Sequence, residues 1–485
     1  MSVGAKTARA AIWAFLSTAG SKGVTLIGLA LLARLLAPGE FGLLAFAMVY
    51  ITYAEAIGDL GTGTALVYWP DRREDAAQVT FIINTVAGVA WCLLTLGIAP
   101  WVADFFNAEN GTPIIQVLAF SFILKFLGNT HDALLQKDLR FRARMVPDLA
   151  LAVVKAVLAL VLAWMGFGAW SLVWAHLAGL GARTILVWIA APWRPNLTFP
   201  RDLFKPMLAY GRGIIVVNVL AAVGHHADMA IVGHYLGTIQ LGLYQIATKI
   251  PETTTVVLLW VLSRVLFPAF AQLHGEGASM KRPYLISSRY ITAVTMPTAI
   301  GTMMLATPIV LVFFGPAWKP AAPVLAALAA YSGIRCLSTN AGDVLKATGR
   351  AGLLAKLAYF KTAMTVPALL VGAQYGAVEI ALAMGVVAAI GTVITLVVAA
   401  RAVDVKLRQI GAAFLPGTLA SAIMAGVLVI WLRSTSQFAD VVQLSGGVTL
   451  GALVYGIALV LIDRDLVSAA KRHLFAARHA VERPA

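Results

Sequence analysis

The sequence predicts an all-α integral membrane protein of about 14 transmembrane helices: two parallel six-helix repeats around a central cavity, followed by two C-terminal helices. Three observations predict this. Sixty percent of the residues are hydrophobic and 12% are charged, with a mean hydropathy of +0.84. Apolar stretches of about 20 residues recur along the chain, each long enough to cross a hydrocarbon core of roughly 30 Å. They lack the period-2 alternation of barrel strands, so helices must satisfy their backbone groups in lipid. Finally, the chain repeats itself. At an offset of 200, Leu36, Gly42, Leu43 and Ala47 fall on Leu236, Gly242, Leu243 and Ala247.

The spans lie near 10–33, 41–66, 79–103, 114–133, 145–166, 169–190 and 213–236, then 241–267, 285–314, 321–345, 353–373, 377–400, 410–432 and 441–461. The first carries no short apolar core with a small-residue cleavage site, and reads as a retained span rather than a signal peptide. Between spans 1 and 2, "RLLAPGE" is a tight turn where Pro-Gly breaks the helix. "HYLGTIQ" is the same turn between spans 7 and 8. A second echo, "GFGAW" (166–170) before span 6 and "QYGAV" (374–378) before span 12, recurs at an offset of 208. The expected divisions are a six-helix lobe over 1–200, a second over 201–405, helices 13 and 14 over 406–465, and a basic tail over 466–485. Parallel repeats related by an axis along the membrane normal typify transporters with a central site.

Charge orients the chain. One set of connections carries 26 Lys and Arg residues, the opposite set only Arg34, Lys319 and Arg433. The positive-inside rule then puts both termini in the cytoplasm. The formal charge of +15 reads as loops facing anionic lipid, and nucleic acid is not expected as a partner. Cys92 and Cys336 both sit in apolar runs, as buried small hydrophobes rather than a disulfide. Neither a GxxxxGK[ST] phosphate loop nor an HExxH zinc motif occurs. No cofactor, metal or enzymatic activity is expected, and the driving force is an ion gradient, the membrane potential or consumption of substrate on the far side.

Eight segments in order carry a resemblance: "ARLLAPGEFGLLAFAMVY", "DLGTGTALV", "LLQKDLRFRAR", "GFGAWSLVW", "WRPNLTF", "DMAIVGHYLGTIQLGLYQIATKIP", "SRVLFPAFAQL" and "FFGPAWKPAAPVL". In these the chain resembles the polysaccharide exporters of the multidrug/oligosaccharidyl-lipid/polysaccharide (MOP) flippase superfamily. The nearest subgroup is the Wzx-type flippases of colanic acid, succinoglycan and related exopolysaccharides. The resemblance implies paired helical bundles that alternate access around a central cavity. It also implies an undecaprenyl-diphosphate-linked oligosaccharide as substrate, moved from inner to outer leaflet, with a polysaccharide polymerase and export machinery as partners.

Charges inside spans are the candidate site. A cation near mid-bilayer costs about 2.5–3.5 kcal/mol on insertion scales, so it generally faces a cavity or a partner. Lys22, Lys125, Lys155, Lys249, Arg335 and Lys361 lie well inside spans, whereas Arg183 and Arg264 lie toward helix ends and could snorkel. Lys125 with Arg335, and Lys155 with Lys361, nearly correspond between the repeats at offsets of 206–210. Such an arrangement suits a diphosphate through charge-assisted hydrogen bonds; the alternative is that each cation neutralises an intramembrane acid.

The acids are Glu55, Asp59, Asp132, Asp228, Glu252, Asp343 and Glu379. Lys249 and Glu252 flank Pro251 at i,i+3 spacing, as a structural ion pair or a functional one. Glu55 and Asp59 share a helix face and either serve ion coupling or, for Asp59 in "DLG", anchor a helix end. His225 and Asp228, beside His226, form a second candidate for proton coupling. Two other functions stay open on these residues: a multidrug or ion antiporter of the same superfamily, and a membrane polysaccharide polymerase, which would be an enzyme.

Overall fold

The computed structural model describes residue 20 and residues 23–466, except 70, 197, 257–265, 267–269 and 277. Regular structure among the described residues is helical throughout, with no strand. Among the described residues, eleven helices are long and apolar enough to span a membrane, or up to 12 if one bent pair is a single span. The chain is therefore a multi-span membrane protein. Expected span 1 falls partly outside the described residues, which show a shorter apolar helix, α1, at Gly23–Leu32. Contacts divide the chain after Gln245 into two compact units.

In the first unit, α2 (Pro38–Gly58) starts with Pro38 in its first turn. There a missing N–H costs nothing and the fixed φ suits a helix. The Ala37 N–H donates to Glu40 Oε2 at 2.7 Å. The "DLG" segment stops α2: the Asp59 N–H bonds back to the Glu55 carbonyl at 2.8 Å, and Gly61 takes φ +66°. A short helix, α3 (Thr62–Tyr68), follows. Next come α4 (Arg73–Phe105), α5 (Gly111–Leu118), α6 (Phe120–Lys137), α7 (Phe141–Trp164) and α8 (Ala169–Ala190). The last matches expected span 6 residue for residue.

Ion pairs tie α6, α7 and α8 together. Arg144 donates to both oxygens of Asp132, at 2.8 and 2.9 Å. Arg183 lies 3.2 Å from Asp132 and 3.0 Å from Asp148. Its guanidinium thus turns toward two carboxylates rather than snorkelling, because both acids lie on neighbouring helices within its reach. One residue before Asp132, the buried His131 ring stacks on Trp188 at 4.2 Å.

The long helix α9 (Arg201–Pro251) is two limbs meeting at Gly237, whose φ of +79° and ψ of 178° are non-helical. Only glycine adopts that conformation readily, so the break corresponds to the expected turn between spans 7 and 8. The first limb packs on the segment around α3. Tyr210 stacks on Tyr68 at 5.0 Å, Gly211 abuts the Leu60 carbonyl, and Asp202 pairs with Arg72, which also donates to Asp75 at 2.8 Å. The second limb meets α2 through close backbone approaches at two glycines. A Cβ on Gly42 would collide with the Thr238 carbonyl, and one on Gly242 with the Pro38 carbonyl. This contact is reciprocal at the same offset of 200 that relates the two segments in sequence.

The second unit opens with a π-helical turn, Glu252–Val256, directly after Pro251. Helices α10 (Lys281–Met304) and α11 (Ala306–Phe313) are bent by 71° where one span was expected. Then follow α12 (Ala321–Cys336), α13 (Thr339–Ala347), α14 (Ala351–Ala373), α15 (Ala377–Ala402), α16 (Leu407–Ser434) and α17 (Asp440–Ile462). Gly417 of α16 lies close to the backbone at Thr292 and Ala293 of α10, an approach that a Cβ there would make tight. Buried Asn340 crosses from α13 to donate to Ser288 Oγ at 2.7 Å and Ser287 Oγ at 3.0 Å. The second echo is matched in conformation, since Gly168 before α8 and Gly376 before α15 both have positive φ.

Candidate functional site

The first unit gathers intramembrane charge around α2 and α6. Glu55 sits on the last turn of α2, one turn before the "DLG" break. Lys125 of α6 reaches it, with Nζ 2.7 Å from Glu55 Oε2. Asp59 lies within electrostatic range of both. A lysine and a carboxylate about 4 Å apart attract by about 4 kcal/mol at an effective dielectric of about 20. That is comparable to the roughly 2.5–3.5 kcal/mol cost of holding the lysine in the membrane. Pairing therefore accounts for the stability of Lys125 where it is.

Lys155 of α7 has a different partner. Its Nζ donates to Nδ1 of His176 on α8 at 3.3 Å, and Lys125 is also within electrostatic range of that ring. Accepting at Nδ1 leaves the ring proton of a neutral imidazole on Nε2. The Lys155 stem lies against Gly179 of α8. Two lysines, two carboxylates and one imidazole thus come together from α2, α6, α7 and α8.

A parallel group occupies the second unit. Lys249 Nζ is 3.0 Å from Glu252 Oε2 across Pro251. Arg335 of α12 donates to Tyr331 Oη at 3.5 Å and is within electrostatic range of Glu252. Lys361 of α14 is within range of Arg335, and its stem crosses Gly391 of α15. The Lys155 contact in the first unit is limited to its Cβ and backbone N at Gly179, beside the Leu151 carbonyl, whereas in the second unit the lysine stem runs over Gly391. The glycine supplies the groove for the aliphatic stem and the ammonium continues beyond it.

Asp228, buried in the first limb of α9, accepts a hydrogen bond from Tyr244 Oη at 3.0 Å and has Tyr53 of α2 within electrostatic range. His225 is exposed and His226 half-buried. Asp59 forms the C-terminal boundary of α2. Lys22, like Arg264, lies outside the described residues. No group of three or more His, Cys, Asp or Glu able to hold a metal occurs among the described residues.

Residues 31–323 match the model of a family described as polysaccharide biosynthesis protein, well over half of the chain. The chain belongs to the polysaccharide biosynthesis protein family. This family member is 26% identical over 465 residues to the succinoglycan biosynthesis transport protein ExoT of Rhizobium meliloti, covering 94% of this chain and 93% of that one. It is 24% identical over 398 residues to the lipopolysaccharide biosynthesis protein WzxC of Escherichia coli K12, covering 81% of each. Among solved structures, the lipid II flippase MurJ in an inward closed conformation superposes with a TM-score of 0.77 at 15% identity, over 94% of this chain and 100% of that one. At that identity the likeness concerns the fold.

The family member's structure also adds residues that sequence reasoning passed over. His176, Tyr244 and Tyr53 touch or approach charged candidates. A histidine alone in an apolar span, as in "LVWAHLAGL", was the available signal for the first. The tyrosines look like ordinary interfacial aromatics and give none.

Proposed function

We propose that this chain is a flippase that moves lipid-linked oligosaccharide repeat units from the cytoplasmic to the periplasmic leaflet for surface polysaccharide biosynthesis. The observation that carries the reading is the pair of intramembrane cation groups, Lys125 with Lys155 and Arg335 with Lys361, in a member of a polysaccharide biosynthesis family. Basic groups held in an apolar setting suit the diphosphate of an undecaprenyl-diphosphate carrier. The names of relatives support the same class: one is a succinoglycan transport protein, and a protein of like fold is a lipid II flippase. Family and charge together disfavour drug-cation extrusion, for which an acidic or apolar site is the better match. Access alternates between leaflets, both termini lie in the cytoplasm, and a polymerase takes the flipped unit.

The test is where single lipid-linked units accumulate when this protein is depleted and the polymerase is intact. Intact cells are treated with an impermeant sugar-modifying reagent, and the lipid fraction is extracted. The reading expects a pool protected from the reagent. A reagent-accessible pool of single units means translocation proceeds without this protein and overturns it.

A further inference from the structure

Two kinds of ion pair occur in the first unit. Asp132 is locked: Arg144 grips both its oxygens, Arg183 adds a third contact, and the Asp132 and Arg183 side chains are 15% and 16% exposed. Glu55–Lys125 is a single contact, with side chains 22% and 34% exposed. Its remaining carboxylate and ammonium valences are therefore open to another group. Glu55 and Asp59 both lie within electrostatic range of Lys125, so an incoming anion competes with a resident carboxylate for that ammonium.

We propose that Glu55 is the resident anion of this site: it occupies Lys125 until the oxyanion of a substrate takes its place. The inference rests on the flippase reading and assigns the substrate group that Lys125 receives, a phosphate oxygen of the lipid diphosphate. Exchange also frees Glu55 on the last turn of α2, immediately before the positive-φ break at Gly61. Occupancy of the site is thereby transmitted to a backbone position that can change direction.

The experiment measures binding of geranylgeranyl diphosphate to the full-length protein in detergent, with geranylgeraniol as the tail-only control. Wild type is expected to prefer the diphosphate. Glu55→Gln is expected to bind it about tenfold tighter, Lys125→Gln more weakly, and the gain from Glu55→Gln should vanish in the Lys125→Gln background. Glu55→Asp, which withdraws the carboxylate by one methylene, should give a smaller gain and keeps the test open if the Gln variant does not fold. Equal or weaker binding by both Glu55 variants overturns the exchange and leaves the flippase reading standing. So does a gain that persists without Lys125. No preference of wild type for diphosphate over alcohol overturns the exchange and removes the anion-site argument for the flippase as well.

Discussion

Single residues divide by how their charges are held. Asp132 joins three helices through two guanidiniums, so Asp132→Asn leaves Arg144 and Arg183 short of a counter-charge. Removing one member of a buried pair costs about 3–5 kcal/mol; partial exposure reduces this to about 1–3 kcal/mol. A lower unfolding temperature in detergent is the expected readout, with a smaller decrease for Glu55→Gln, which removes a single partly exposed contact. For the candidate site the expectation reverses. Lys125→Ala and Arg335→Ala should lower export at normal membrane abundance, and full export by both and by the double mutant removes the diphosphate assignment. The identity of these cations was legible in sequence because each interrupts an apolar run. Their partners were not. Glu55 and Lys125 are 70 residues apart, and Lys155 and His176 sit on different helices. Which faces meet is decided by packing, which no local spacing encodes. Lys249 and Glu252 could be foreseen as a pair because i,i+3 neighbours share a helix face.

Among elements, glycine decides where helices touch. Gly391→Leu would drive a side chain into the Lys361 stem, while Gly385 has no atom within 4 Å of an added Cβ. Export by Gly391→Leu is expected to fall and that of Gly385→Leu to hold, in cells with matched protein levels. The same contrast applies between Gly42→Leu, which meets the Thr238 carbonyl, and Gly97→Leu, which meets nothing. Spans 6, 11 and 12 were legible to within about two residues, since hydropathy and bracketing turns mark both ends. Breaks inside apolar runs were not. The bend between α10 and α11 falls at Leu305, marked only by Pro308 in the first turn of α11 within an otherwise apolar run. The joint between α12 and α13 carries no Pro or Gly.

At the scale of the whole molecule, the uneven distribution of basic residues predicts an orientation that can be measured. Both native thiols are buried, so a new surface cysteine reads against low background. Arg408 and Gln437 flank α16 and are exposed. Gln437→Cys is expected to react with an impermeant maleimide in intact cells, and Arg408→Cys only after permeabilisation; the reverse pattern inverts the proposed topology. The internal repeat was legible from the two echoes, and the positive-φ turns at Gly168 and Gly376 show why the second persists in sequence: each launches a helix from a conformation other residues adopt with strain.

The reciprocal contact at Gly42 and Gly242 has a kinetic consequence. Joints between helices usually interlock through side chains, which must leave their rotamers and be resolvated before the helices part. Here carbonyl oxygens occupy the space where each Cβ would stand, while the Ile239 side chain lies beside Gly39. At the two glycine positions, parting and reclosing the helices would reset no rotamer.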